Sequence, residues 1–291
     1  MFGIPLQAFL GQLLIGLING AFYAMLSLGL AVIFGLLNII NFTHGAQYML
    51  GAFCAWFLLQ QGVGYWWALL IAPIVVGLTG VIIERTMLSR LYKLDHLYGL
   101  LLTFGLALII QGVFTKYYGS SGLPYRIPDE LAGGMNLGFM FLPKYRGWVI
   151  IASIAVCAAT WYLIERTKLG SYLRAATENA TLVQAFGINV PRMVTLTYGF
   201  GVALAAFAGV MAAPIYQVNP QMGANMIIVV FAVVVIGGMG SILGAIVTGF
   251  GLGVIEGLTK VFYPEASNTV IFVIMAIVLL LKPAGLFGKE R

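Results

Sequence analysis

The chain has 291 residues, of which 61% are apolar or aromatic and 8% charged, with a net charge of +6. A soluble domain carries charge on roughly a quarter of its residues, so a mostly water-facing surface is excluded and an integral membrane protein remains. The positive excess is not read as a nucleic-acid signal, because Lys and Arg gather beside the apolar runs.

Residues 1–83 contain no Asp, Glu, Lys or Arg, and neither do residues 193–255. A crossing takes about 20 apolar residues, at ~1.5 Å each over ~30 Å of hydrocarbon, so each block has room for two or three. In chain order, spans are predicted near 7–29, 30–60 (interrupted), 65–84, 97–117, 147–165, 193–216, 226–239, 241–261 and 268–282, a count of eight or nine. The runs are continuously apolar instead of alternating, which argues for helices over barrel strands. The expected fold is an all-α polytopic transmembrane bundle, one domain over 1–291, with a broken or re-entrant helix. The N-terminus lacks the basic residues of a signal peptide and is read as uncleaved.

Positive residues set the orientation. Arg85, Arg90 and Lys93 follow the third span, Arg166, Lys168, Arg174 and Arg192 surround 168–192, and Lys282, Lys289 and Arg291 mark the tail. All three groups lie in the cytoplasm if the Gly- and Pro-rich segment 118–146 is the outer loop, which makes the C-terminus cytoplasmic. Small residues four apart, such as Gly201 and Ala205 or Gly249 and Gly253, predict close helix packing. Cys54 and Cys157 sit in separate apolar runs and are read as small hydrophobes, with no disulfide or metal site.

Three segments could carry function. The first is the polar break containing Asn38, Asn41, Thr43, His44 and Gln47. Polar groups at membrane depth are costly unless they meet a partner or a wet cavity. The break is therefore a discontinuous helix lining a solute pathway, a turn at the membrane surface, or a set of inter-helix hydrogen bonds. The second is Gly237-Gly238-Met239-Gly240-Ser241, whose glycines weaken a helix by about 1 kcal/mol each. Both breaks lead into Leu-Gly-Ala, which hints at an internal repeat. The third is 168–192, expected to form a short helix under the membrane that starts at Ser171 or Thr177 and is capped by Gly187 before Pro191, with a plain solvated loop as the alternative. Glu256, inside an apolar run, is either an intramembrane functional acid or half of an interfacial pair with Lys260.

No Gly-x-x-x-x-Gly-Lys-Ser/Thr loop occurs, so P-loop nucleotide binding is excluded. No His-Glu-x-x-His motif or paired intramembrane carboxylates suggest an enzyme, and no catalytic, metal or cofactor residues are assigned. Buried acids for proton or sodium coupling are scarce, so energy is expected from another subunit.

At these same residues the sequence resembles the branched-chain amino acid ABC transporter permease family, LivH type. Ile40-Asn41-Phe42-Thr43-His44-Gly45 is similar to that family's Ile-Asn-Phe-Ala-His-Gly. Arg174-Ala175-Ala176-Thr177-Glu178-Asn179, running to Gly187-Ile188-Asn189, resembles its ATPase-contacting segment. Ile236 to Ser241 with Gly244-Ala245 resembles its late glycine motif, and Pro283 to Gly288 its ending. The spacing departs in one place: Glu178 and Gly187 are nine residues apart, against six in many importer permeases.

The resemblance implies an inner-membrane importer with a second related permease subunit, two ATP-binding cassette subunits and a periplasmic or lipid-anchored substrate-binding protein. Arg174, Glu178, Gly187, Asn189 and Arg192 would be the coupling residues, and Asn38, Asn41, Thr43, His44, Gln47, Gly237, Gly238, Gly240 and Ser241 the pathway. Branched-chain or other hydrophobic amino acids lead as solutes, with urea, short amides or aromatic carboxylates as the alternative. A stand-alone channel or secondary transporter is the reading from another class.

Overall fold

Backbone groups in hydrocarbon must be satisfied within the chain, and the computed structural model accordingly consists almost entirely of helices. It describes residues 5–37, 41–92, 94–138 and 140–288. Asn38 and Ile40 of the polar break, Lys93, Lys289 and Arg291 lie outside the described residues.

Eleven α-helices occur among the described residues: α1 Leu6–Leu37, α2 Thr43–Gln60, α3 Tyr65–Thr86, α4 His96–Tyr118, α5 Lys144–Glu165, α6 Lys168–Glu178, α7 Ala180–Ala185, α8 Val190–Tyr216, α9 Met222–Gly237, α10 Ile242–Phe262 and α11 Val270–Leu281. Among the described residues, six stretches are long and apolar enough to cross a membrane: Leu6–Gly35, Tyr65–Arg90, His96–Tyr118, Lys144–Glu165, Val190–Tyr216 and Ile242–Phe262. The chain is therefore an integral membrane protein with a helical bundle. The expected eight or nine crossings become six supported by length and composition. Helices α9 and α11, of 16 and 12 residues, are apolar but short, about 24 and 18 Å at ~1.5 Å per residue.

Three expectations change. A boundary near 29–30 is absent: α1 runs unbroken to Leu37, because Leu28-Gly29-Leu30-Ala31 contains no proline or polar residue to stop it. The all-α expectation is modified in segment 118–146, which includes a short antiparallel ribbon of β1 Gly134–Asn136 and β2 Phe141–Pro143, with Met135 opposite Leu142. In the third segment, helix α6 starts at Lys168, not at Ser171 or Thr177, and α7 begins after Asn179, whose side chain accepts from the Leu182 amide at 2.9 Å.

The chain divides into two compact units, one of residues 1–27, 127–158 and 229–291, the other of residues 28–126 and 159–228. In the first, glycines set the α1–α10 approach: a β-carbon on Gly253 would strike the Gly20 backbone, and one on Gly249 would lie 2.5 Å from Ala24 Cα. In the second, α8 packs on α2 and α3 around Ile33, Val76, Leu88, Tyr198, Val202 and Ala206. Cross-helix aromatics extend that packing, with the Phe53 and Phe114 ring centroids 4.6 Å apart. Both cysteines are free, Cys157 buried and Cys54 half-buried.

Candidate functional site

The polar break opens into α2, whose first two turns carry alternating chemistry. Asn41, Thr43, His44 and Gln47 are all at most 1% exposed. Each side chain points into a neighbouring helix of the second unit. The Asn41 amide Nδ2 donates to the Tyr198 hydroxyl of α8 at 3.0 Å and lies 3.5 Å from Gln47 Oε1. Thr43 Oγ1 donates to the Thr103 carbonyl of α4 at 2.9 Å, and the Phe42 amide donates to Thr103 Oγ1 at 3.3 Å. Gly29 of α1 faces the His44 imidazole so closely that a β-carbon there would lie 2.9 Å from Cε1. Asn41 Oδ1 and Gln47 Nε2 have no hydrogen-bond partner among the described residues.

Interleaved with these polar residues, Phe42, Gly45, Ala46 and Met49 face the other way. Together with Phe104 of α4, Ile227 of α9 and their neighbours they line a mainly apolar cavity of about 240 Å³. Gly45 meets Gly223 backbone to backbone at its wall. The start of α2 is thus an inter-helix hydrogen-bond cluster on one face and a cavity wall on the other. No charged residue lies in either.

The glycine motif belongs to the first unit, where it clasps the chain's ending. Gly238 and Gly240 adopt φ of +99° and +84°, conformations that favour glycine. This reversal lets the Leu286 amide donate to the Ile236 carbonyl at 2.8 Å and the Phe287 amide to the Gly237 carbonyl at 3.1 Å. Ser241 caps α10, its side chain accepting from the Gly244 amide at 3.0 Å. Glu256 is 5% exposed and forms the expected pair with Lys260, one turn on. Lys260 Nζ donates to it at 2.5 Å, Tyr23 OH of α1 at 2.7 Å, and Asn19 Nδ2 at 3.4 Å.

The third segment is the helix pair α6–α7 that precedes α8. Arg174 Nη1 binds back to the end of α5, 3.0 Å from the Ile164 carbonyl and 3.2 Å from Glu165 Oε2. Glu178 is exposed on the last turn of α6. Gly187, at φ +82°, reverses the chain after α7, and Asn189 caps α8 by accepting from the Arg192 amide at 3.1 Å. Leu182 and Phe186, one turn apart, are 55% and 78% exposed on this polar segment.

Between α6–α7 and the ends of α3, α4 and α8 lies a cavity of about 860 Å³. Sequence reasoning missed this place. Its wall includes Glu84, Arg85, Tyr92, Thr177, Arg192 and Thr195, which come from stretches about a hundred residues apart with no local pattern to join them.

No group of three or more potential metal-binding side chains occurs among the described residues. The family described as branched-chain amino acid transport system / permease component matches residues 12–279. The chain is 29% identical to the high-affinity branched-chain amino acid transport system permease protein LivH of Salmonella typhimurium, over 97% of this chain and 96% of that protein. It is 30% identical to BraD, the permease protein of the same description in Pseudomonas aeruginosa, over 97% of each. The ribose import permease protein RbsC of Escherichia coli is 24% identical over 63% of this chain and 57% of its own length. No solved structure matches the chain. A transmembrane helical bundle, a polar break before α2 and a family match over nearly the whole sequence agree, and the chain belongs to the branched-chain amino acid transport system permease family.

Proposed function

We propose that this chain is a solute-translocating subunit of a binding-protein-dependent ABC importer in the cytoplasmic membrane, driven by partner ATPase subunits. Branched-chain or other hydrophobic amino acids are the solutes. The second related permease, two ATP-binding cassette subunits and the substrate-binding protein complete the complex. The ends marked by Arg85, Arg166, Arg192 and Lys282 face the cytoplasm, as their positive charge favours.

One observation carries this reading: Leu182 on α7 and Phe186 at its C-terminal end stand exposed, shortly before α8. An exposed apolar pair on a polar segment is suited to a soluble partner's groove. Glu178, Gly187, Asn189 and Arg192 shape that segment and its junction with α8, while Arg174 braces it on α5. On the transport side, the start of α2 supports a pathway without tight binding. Its uncharged amides retain hydrogen-bonding capacity at Asn41 Oδ1 and Gln47 Nε2, and its other face lines an apolar cavity. Asn38, Gly237, Gly238, Gly240 and Ser241 belong to the same proposed pathway, the glycines as the pliant joint at which α10 meets the chain's ending.

The test is capture of the cognate ATPase subunits by membranes carrying the permease pair. Phe186→Asp should weaken capture at least tenfold, since an interface anchor typically contributes ~1.4 kcal/mol or more. Unchanged capture in that variant would contradict the contact.

A further inference from the structure

The first charge in the chain, Glu84, belongs to neither the proposed pathway nor the coupling segment. It lies in the last turns of α3 and is 2% exposed. Its oxygens are divided between two elements. Oε1 accepts from Tyr92 OH at 2.5 Å, in the turn that follows α3. Oε2 lies 2.6 Å from Thr195 Oγ1, in the second turn of α8. The Thr195 hydroxyl is also 3.0 Å from the Pro191 carbonyl; it has one proton, and the shorter, charge-assisted contact to the carboxylate takes it. Among the described residues no basic nitrogen lies within ion-pairing distance of Glu84. These hydroxyls therefore hold it. Burial, then the hydrogen bond to Glu84, raises the Tyr92 phenol well above its ordinary value, so that it stays a donor.

The placement of this joint matters because of what lies beside it. Thr195 follows α7 by ten residues, so Glu84 grips α8 just where the α6–α7 segment enters it. On the other side, the 860 Å³ cavity separates Ala176, Thr177 and Ala180 of the segment from Val81 of α3 and Met193 of α8. Side-chain packing across that gap is sparse. A displacement of α6–α7 reaches the membrane helices at two places, the end of α5, which Arg174 holds, and the start of α8.

We infer that Glu84 is a positioning residue for coupling: by clamping the base of α8 to α3, it makes the two helices move together when α6–α7 is pushed. Without the clamp, the base of α8 bends alone and the push is dissipated in the cavity. This inference rests on α6–α7 being the ATPase contact.

The test uses the complete importer in proteoliposomes, with E84Q, T195V and Y92F, and measures ATPase capture, ATP hydrolysis and solute uptake separately. Capture should be unchanged. Uptake per ATP hydrolysed should fall about fivefold or more in E84Q and T195V, the size of a typical coupling effect. The E84Q/T195V double variant should be no worse than E84Q alone, because the bond that T195V removes is one that E84Q already weakens, and E84D should recover part of the loss. A merely structural role would lower the amount of complex and leave that ratio intact. If E84Q fails to accumulate, T195V and Y92F, which keep the carboxylate, decide. An unchanged ratio in T195V and E84Q overturns the inference. If Phe186→Asp also leaves capture unchanged, the α6–α7 contact itself is wrong; if it abolishes capture while the ratio holds, only the role of Glu84 falls.

Discussion

Tyr125, in segment 118–146, illustrates how burial sets chemistry one residue at a time. Its hydroxyl has no hydrogen-bond partner among the described residues. Burial, with the neighbouring Tyr65 adding to it, pushes the phenol up to about 12 from 10.0. The folded state therefore holds this proton more tightly than the unfolded chain. The resulting stability is fully present below pH 10, and is lost as the pH rises toward 12. Tyr125→Phe removes a buried, unpaired hydroxyl and should leave stability unchanged or raise it by up to ~1 kcal/mol. It should also remove this residue's share of the alkaline loss. Unfolding in detergent at pH 9 and pH 11.5 measures both, and a loss above about 1 kcal/mol at pH 9 would contradict the unpaired assignment. Glu84 shows what residue-scale reading of sequence misses. An acid at the end of an apolar run looks like the first residue of a loop, and its partner Thr195 is 111 positions away.

At the scale of elements, helix contacts are governed by small residues. A β-carbon on Gly209 of α8 would collide with the Tyr48 carbonyl of α2, and one on Gly51 with Ala206. Gly209→Leu should separate α2 from α8 and cost about 3 kcal/mol, the upper range for overpacking, read as a lowered Tm of the purified chain. Gly251, which has open space around it, is the control: Gly251→Ala should leave Tm nearly unchanged. A loss at Gly251 equal to that at Gly209 would contradict close approach as the cause, since both replacements favour the helix over glycine.

The spacing of small residues made this packing legible in the sequence. So was the polar break before α2, because Asn41, Thr43, His44 and Gln47 interrupt an otherwise apolar run. The length of α1 was not legible, since nothing in a continuous apolar stretch marks where a helix passes from crossing to overhang. Nor was the start of α6. Ser171 and Thr177 are good capping types, yet the turn after α5 already begins the helix at Lys168. The Ser171 and Thr177 hydroxyls then donate to the carbonyls of Thr167, just before the helix, and of Arg174 within it. The two breaks proposed as a repeat also differ in construction: Ser241 caps α10, whereas Phe42 gives α2 no side-chain cap.

For the whole molecule, composition sets the solvent: a chain with 8% charged residues belongs in lipid. Family membership over residues 12–279 adds a role in transport, and the proposed division of labour places ATP hydrolysis on partner subunits. The most direct measurement compares proteoliposomes holding the purified chain alone with proteoliposomes holding the complete importer, both supplied with ATP and radiolabelled leucine. The account predicts hydrolysis and accumulation against a gradient only in the complete importer. ATP hydrolysis or concentrative uptake by the lone chain would contradict it.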